Sequence, residues 1–203
     1  KNKTNVNWKV KVYPDKRLNY DMMKKMRDAG CVTWELGVES GSDRLIKEMG
    51  RNYTTSLVKN ILKTGKEVGI DINTFWMIGF PTETDEMFQD SVNLIKEAGI
   101  AFNHIFPYSI REGTPAAKMP PVNGKIIKER AKILRETGAA ELQKFLKKQI
   151  GKKLKVIVEN SDFSKSENFL DVKIANKPDH IKSGDILEIL ITNTDKNHLI
   201  GEI

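Results

Sequence analysis

Residues 68–84, with the sequence VGIDINTFWMIGFPTET, decide the fold of the first half of the chain. Gly69 ends a helical pattern, because a glycine just past a helix readily adopts the left-handed conformation that terminates it. The run from Asp71 to Ile78 is apolar and β-branched, which is typical of a buried strand. Gly79 and Pro81 then turn the chain into a second helical pattern. The stretch therefore predicts a helix, a strand and a helix in succession.

The same order recurs around two more glycines, Gly30 and Gly99. Each of the three glycines follows an amphipathic helical pattern, and these patterns lie at 20–28, 54–67 and 84–97. Strand patterns occur at 8–13, 32–38, 71–78 and 101–108. Strands that alternate with helices predict parallel pairing through right-handed crossovers. Because four such steps are too few for a closed eight-stranded barrel, we expect an α/β fold, a partial (βα) barrel, over residues 1–121.

The second half of the chain has a different character. Residues 122–150 form one long lysine-rich helical pattern, which we expect to be a linker helix. Short strand patterns follow at 153–159, 169–174, 185–192 and 198–203, separated by polar turns such as Asn160-Ser161-Asp162. We expect residues 151–203 to form a small all-β barrel of the OB-like kind.

The composition is that of a soluble globular chain. It is 39% hydrophobic and 30% charged, and no segment approaches the ~20 apolar residues of a membrane span. The net charge of +7 suggests a polyanionic partner. The single cysteine, Cys31, excludes a disulfide framework or a cysteine-based metal cluster built from these residues alone. The polar opening, Lys1 to Thr4, does not resemble a signal peptide, so we expect a cytoplasmic protein or a fragment of one.

Two predicted strands end in small and acidic residues. One end is Glu39 to Asp43 and the other is Gly79 to Asp85. In α/β sheets ligands bind at the carboxyl ends of strands, although ordinary helix capping explains both turns equally well. The acids disfavour a phosphate, whereas carboxylates, glycine and apolar side chains suit a ligand with hydroxyls, a flat base and positive charge. S-adenosylmethionine (SAM) has all three.

Several motifs resemble one enzyme family. GFPTET (79–84) resembles the GFPGET turn of radical SAM enzymes, and GVESGSDRLIKEMGRNYT (37–54) resembles their strand-four region. HIFPYSIREGTPAAKMP (104–120) is similar to the end of the radical domain in tRNA methylthiotransferases of the MtaB/MiaB type. VNGKIIKERAKILRE (122–136) and NHLIGEI (197–203) resemble the linker helix and the TRAM domain of that group. The first half also resembles cobalamin-binding radical enzymes.

The resemblance implies roles for individual residues. The positions implied to line SAM are Glu39, Ser40, Ser42, Ile78, Gly79, Phe80, Glu83, Ile105 and Phe106. The first three would lie by the ribose or methionine part, and the next three by the adenine. Thr82 stands where the family usually has glycine, which puts the backbone path of this turn in question. Arg111 follows the last strand of the site and would meet a cofactor carboxylate or an RNA phosphate.

Basic residues give an independent indication of RNA binding. The chain from 118 to 155 is rich in lysine and arginine and lies next to a predicted small β-barrel, which favours phosphate contact. A solvated helix face is the alternative. We expect tRNA as the partner, and the candidate RNA-binding residues are Arg111, Lys144, Lys148, Lys152, Lys153 and Lys155.

One part of the family's machinery is not in this sequence. Radical SAM enzymes hold a 4Fe-4S cluster on a CxxxCxxC loop, whereas these 203 residues contain one cysteine. We therefore expect the C-terminal part of a tRNA methylthiotransferase that lacks the N-terminal region of its parent, has no catalytic residue or metal ligand of its own, and is inactive alone. Two alternatives stay open: a fragment of a cobalamin-dependent radical enzyme, which would not bind RNA, or a non-catalytic RNA-binding module.

Overall fold

The computed structural model describes residues 6–160 and 163–203. The polar opening Lys1 to Thr4 and the predicted turn residues Ser161 and Asp162 lie outside the described residues. The chain divides into two compact units, Lys1–Gly138 and Ala139–Ile203, which are described separately.

Unit 1 contains a four-stranded parallel sheet in the order β1-β2-β3-β4. The strands are β1 (Trp8–Val12), β2 (Cys31–Glu39), β3 (Asp71–Ile78) and β4 (Asn103–Pro107). The α-helices are α1 (Tyr20–Asp28), α2 (Asp43–Glu48), α3 (Thr55–Val68), α4 (Asp85–Ala98) and the first part of α5 (Gly124–Lys147), and a 3-10 helix spans Pro115–Lys118. The predicted parallel α/β fold is confirmed. The short helix α2 was not predicted, because its six residues are too few to show a helical period.

The core of unit 1 lies between the sheet and the helices. Alternate residues of β2 and β3, among them Trp34, Leu36 and Trp76, are buried and pack in one cluster with residues of α1, α3, α4 and α5. The opposite face of the sheet is more polar: Lys9 of β1 is exposed and its ammonium lies 3.1 Å from a carboxylate oxygen of Glu35. The period of two along each strand therefore separates a core face from an open face.

The helix ends form as the sequence predicts. Thr54 and Thr84 cap α3 and α4, since each hydroxyl accepts a hydrogen bond from the backbone N–H three residues later. Gly69 and Gly99 follow these helices in the left-handed conformation. These helix-ending glycines determine where β3 and β4 begin, and hence where the carboxyl ends of the two strands lie.

Unit 2 contains the end of α5 and a closed five-stranded barrel in the order β5-β6-β7-β9-β8. The strands are β5 (Lys153–Val158), β6 (Ser164–Ser166), β7 (Asp171–Ile174), β8 (Ile186–Asp195) and β9 (His198–Glu202), and all pairs are antiparallel except β7 with β9. The predicted small β-barrel is confirmed. Strand β6 was not predicted, because Ser-Lys-Ser is short and polar. No helix in the described part of the chain is long and apolar enough to cross a membrane.

Candidate functional site

The carboxyl end of β2 is irregular, and the irregularity orients Glu39. The register with β3 shifts between Gly37 and Glu39, and Glu39 has a φ of 60°, in the left-handed region. The Tyr53 hydroxyl donates to the carbonyls of Gly37 and Val38 at 3.2 and 3.0 Å, which satisfies backbone groups at the shift. Bulged strand ends of this kind commonly redirect a side chain beside a functional site.

Glu39 is paired with Arg51, a residue that was not among the predicted site residues. A guanidinium nitrogen of Arg51 donates to Glu39 Oε1 at 2.9 Å, and the two side chains are 38% and 19% exposed. Burial raises the pKa of Glu39, and the charge and hydrogen bond of Arg51 oppose that shift. The Arg51 guanidinium carbon also lies 5.7 Å from the ring centre of Tyr13, just past the end of β1. Sequence could not place Arg51 here, because the intervening helix α2 was not predicted.

Ser40 and Ser42 belong to a turn that is pressed against α4. The Ser91 hydroxyl accepts a hydrogen bond from Gly41 N at 2.8 Å, and Ser40 Oγ accepts one from Ser42 N at 3.1 Å. A Cβ on Gly41 would lie 2.4 Å from the carbonyl oxygen of Asp90, so the close approach requires glycine. Both serines are buried, and the Ser40 hydroxyl already serves the turn.

The turn after β3 buries most of its side chains. Ile78 lies in the main core, and Phe80 packs in a smaller cluster with Leu45 and Met87. Gly79 has a φ of 81°, and the side chain of Ile127 from α5 covers it so closely that a Cβ would lie 2.4 Å from Ile127 Cγ1. Ile78 and Phe80 can therefore offer a ligand their backbone, while their side chains hold the turn in place.

Thr82 occupies the position where the related turn usually has glycine, and its φ of 84° lies in the left-handed region. A β-branched residue in this region is strained. The Thr82 hydroxyl is bonded to a carboxylate oxygen of Glu48 at the end of α2. The backbone at position 82 thus keeps a conformation that glycine adopts more easily than threonine does.

Glu83 points into the protein and pairs with Arg130 of α5. Glu83 Oε2 accepts hydrogen bonds from Gly79 N at 2.9 Å and from Arg130 Nη1 at 2.8 Å, and the second guanidinium arm reaches Asp85 at 2.6 Å. The Glu83 and Arg130 side chains are both buried. The Arg130 guanidinium also lies 5.5 Å from the ring centre of Phe88. Burial raises the pKa of Glu83, whereas the Gly79 N–H and Arg130 lower it.

Arg130 was also missed by the sequence analysis, although a signal for it exists. Ile127, Arg130 and Leu134 lie three and four residues apart, which puts all three on the buried stripe of α5. An arginine on an apolar stripe needs an internal acidic partner. The sequence therefore predicts that Arg130 has an acidic partner, but it does not identify Glu83 as that partner.

The last strand, β4, presents its two predicted residues to different sides. Ile105 is half-buried and packs against the main core, whereas Phe106 is exposed on the open face, with its ring centre 5.8 Å from that of Phe75. Tyr108 N donates to the carbonyl of Ile78 at 2.7 Å, which extends the pairing with β3. The exposed loop that follows contains Arg111.

The residues at this edge fit part of a SAM molecule. Glu39 and Arg51 are paired with each other, but both stay partly exposed, so a carboxylate that can accept from hydroxyls lies beside a guanidinium that can pair with a carboxylate. The Ser40 hydroxyl and the Glu83 carboxylate have internal partners, so they are less suited to a ligand. The chemistry of the exposed groups thus matches the polar end of the cofactor.

The residues do not fit an iron–sulfur cluster. Cys31, the single cysteine, is fully buried at the start of β2, the opposite end of the strand from Glu39, and burial raises the pKa of its thiol. Within residues 6–160 and 163–203 no group of three or more His, Cys, Asp or Glu residues is placed to hold a metal ion. A buried thiol with a raised pKa is a packing residue and not a ligand.

The candidate RNA-binding lysines all lie on the surface of unit 2. Lys144 and Lys148 are near the end of α5, and Lys152, Lys153 and Lys155 lead into and along β5. Residues 144–155 contain six lysines and no acidic residue, which concentrates positive charge in one stretch. Two of the candidates have acidic partners outside that stretch: Lys144 pairs with Glu141 at 2.6 Å and Lys153 with Glu188 at 3.2 Å.

Comparison with known proteins identifies relatives that modify tRNA. The Radical SAM superfamily matches residues 3–95. Threonylcarbamoyladenosine tRNA methylthiotransferase MtaB of Rickettsia prowazekii is 42% identical over 147 residues, which cover 70% of this chain and 34% of the relative. The tRNA-2-methylthio-N(6)-dimethylallyladenosine synthase of Histophilus somni is 34% identical over 178 residues, which cover 83% and 37%. The chain thus spans about a third of the length of these curated relatives.

Solved structures give the fold. Coproporphyrinogen III oxidase HemN from Escherichia coli, a radical SAM enzyme, matches with a TM-score of 0.56 and 20% identity over 68% of this chain and 32% of that one. The cobalamin-dependent radical enzyme OxsB matches more weakly, with a TM-score of 0.43 and 14% identity over 71% of this chain and 19% of that one. The predicted recognition is confirmed: residues 3–95 carry part of a radical SAM domain, the five-stranded barrel is consistent with a TRAM domain, and the chain is homologous to part of the tRNA methylthiotransferases of the MtaB/MiaB type.

Proposed function

We propose that this chain is the part of a tRNA methylthiotransferase that binds the substrate tRNA and one side of SAM. The substrate would be a modified adenosine next to the anticodon, of the threonylcarbamoyladenosine type. The observation that carries the proposal is the 42% identity to a threonylcarbamoyladenosine tRNA methylthiotransferase over 70% of the chain. A tRNA substrate also favours a cytoplasmic location.

The role we propose at the sheet edge is cofactor binding. Glu39 would accept hydrogen bonds from the ribose, and Arg51 would pair with the methionine carboxylate, while the backbone of Ile78, Gly79 and Phe80 lies along the adenine. SAM supplies radical chemistry only when an iron–sulfur cluster reduces it. Since these residues do not fit a cluster, we assign the chain binding and orientation and no catalytic residue.

The role we propose in unit 2 is contact with the tRNA backbone. Lys144, Lys148, Lys152, Lys153 and Lys155 would neutralise phosphates, and Arg111 in unit 1 would add one more contact. Binding of this kind is electrostatic and weakly selective for sequence. These phosphate contacts would hold the tRNA, while selection of the nucleoside would depend on the cofactor-binding edge of the sheet.

The test is a fluorescence titration of tRNA at several salt concentrations. Neutralising about four phosphates gives a slope of log K against log salt of about −3 to −4. Changing Lys152, Lys153 and Lys155 together to glutamine should weaken binding to all tRNAs and flatten that slope. The matched control changes three lysines elsewhere in unit 2 to glutamine: Lys173, Lys177 and Lys182.

Two outcomes would refute different parts of the RNA assignment. The absence of binding at low salt would refute RNA binding itself, and the interpretation as a fragment of a cobalamin-dependent enzyme with a small-molecule substrate would then move ahead. An equal effect of the two triple variants would refute the assignment of phosphate contact to Lys152, Lys153 and Lys155.

A further inference from the structure

Phe169 combines two costly features in the turn between β6 and β7. Its φ is 60°, in the left-handed region, and the residue is 57% exposed. A bulky residue is a backbone outlier in this region, where glycine or asparagine would be easily accommodated. Burial of the ring in a core would offset the strain of the backbone, but this ring is mostly exposed to water. Such residues are often found at functional sites.

The turn holds Phe169 in place from both sides. Phe169 N donates to the carbonyl of Ser166 at 2.9 Å, and the next residue, Leu170, donates its N–H to Ser166 Oγ at 2.9 Å. Ser166 N in turn donates to the carbonyl of Leu170, whose side chain is buried in the barrel. The backbone of the turn is therefore held by hydrogen bonds that do not involve the Phe169 side chain, and the ring is exposed.

The turn lies beside the basic strand β5. Glu167 N donates to the carbonyl of Lys155 at 3.0 Å, so the turn is bonded directly to this strand. Lys153, Lys155 and Ile157 alternate with buried residues and form the outer face of β5. Hydrogen-bonded backbones lie about 5 Å apart, so the turn that carries Phe169 lies next to Lys155 on the outer face of β5.

We propose that Phe169 is a base-stacking residue and that the outer face of β5 binds single-stranded RNA. Phosphates would lie on Lys153 and Lys155, and one unpaired base would stack on the Phe169 ring. The inference rests on the proposed RNA-binding function and adds the position at which a base is held. Because every base has a flat face, stacking of this kind tolerates many sequences.

The test uses the full chain and a fluorescein-labelled oligouridine of about ten nucleotides, within the usual footprint of such barrels. Phe169→Gly removes the ring and relieves the backbone strain. We expect it to weaken binding about tenfold, the equivalent of about 1.4 kcal/mol and within the range measured for one stacked base. The salt slope should stay unchanged, since no charge is lost, and the midpoint of thermal unfolding should stay equal or rise.

Two further variants separate stacking from folding. Phe169→Trp keeps an aromatic face and should bind within about twofold of the wild-type chain. Phe163→Ala is the matched control, because Phe163 is also a partly exposed aromatic residue of unit 2, 37% exposed, but its ring packs edge-on to His198 at 5.3 Å. This control should retain RNA affinity.

Each contrary outcome identifies what failed. If Phe169→Gly folds and binds like the wild-type chain, the stacking inference is wrong and the proposed function stands. If it loses both stability and affinity, or if Phe169→Trp fails to restore binding, the ring has a structural role and the inference is overturned. If the wild-type chain binds no RNA at low salt, the proposed function and the inference fail together.

Discussion

Arg130→Met removes the guanidinium that joins α5 to the turn after β3. The substitution keeps an unbranched side chain on the helix but leaves the Glu83 carboxylate buried without its cation. Removing one partner of a buried ion pair typically costs 3–5 kcal/mol. The structure points to the lower end, because Glu83 keeps the Gly79 N–H and because the Asp85 arm, with Asp85 96% exposed, contributes little. We expect a loss of about 3 kcal/mol at pH 7.

The loss should depend on pH in a defined direction. Burial already raises the pKa of Glu83, and removing Arg130 takes away a charge that lowers it. Between the unfolded pKa, about 4.3, and the higher folded pKa, the native state binds more protons than the unfolded state, so stability falls as pH rises. The deficit of Arg130→Met relative to the wild-type chain should therefore be smaller at pH 5 than at pH 7.

Urea denaturation followed by tryptophan fluorescence measures this loss, since all three tryptophans (Trp8, Trp34 and Trp76) lie in unit 1. The double variant Glu83→Gln/Arg130→Met removes both charges and should recover about 2 kcal/mol of the deficit. Arg135→Met, at an exposed position of the same helix, should change stability by less than about 0.5 kcal/mol. A deficit below about 0.5 kcal/mol for Arg130→Met, or one independent of pH, would refute the reasoning.

Three other predictions follow from the geometry. Thr82→Gly should raise the free energy of unfolding by up to about 1 kcal/mol, because relief of the left-handed strain exceeds the entropy cost of glycine and the loss of the exposed hydrogen bond to Glu48; a decrease of the free energy of unfolding, measured by urea denaturation, would contradict it. Gly41→Ala should cost at least about 2 kcal/mol, since the added methyl would overlap the backbone of α4, whereas Gly124→Ala, which has open space, should not destabilise the chain. After anaerobic treatment with iron and sulfide the chain should show no 4Fe-4S absorbance and should not form 5′-deoxyadenosine from SAM, because Cys31 is its one cysteine; formation of that product would overturn this.

The architecture was accessible from sequence because its signals are local. Gly69 and Gly99 end helices, and the apolar runs after them have the composition of buried strands, so the parallel sheet follows from order alone. The short elements α2 and β6 were missed, since neither contains enough residues to show a period. Element boundaries otherwise differ from the predictions by few residues.

The site was less accessible because its decisive contacts are remote in sequence. Glu83 and Arg130 are 47 positions apart, and Glu39 meets Arg51 only through the path of α2. A carboxylate in a glycine turn has the same local signature whether it faces a ligand or an internal arginine. Three-dimensional packing decides between these roles, and in this chain it gives Glu83 an internal partner.

Thr82 shows how firmly these remote contacts hold the turn. If local preference set the backbone, a threonine at this position would move the chain out of the left-handed region, at a gain of about 1–2 kcal/mol. The φ of Thr82 nevertheless stays at 84°, the Gly79 N–H still reaches Glu83, and Ile127 still covers Gly79. The interactions with α5 and the hydrogen bond between Thr82 and Glu48 must therefore together outweigh the strain at Thr82. It follows that the first half of α5 is part of the framework of the turn, and that the conformation offered to a cofactor depends on this helix as much as on the residues of the turn itself.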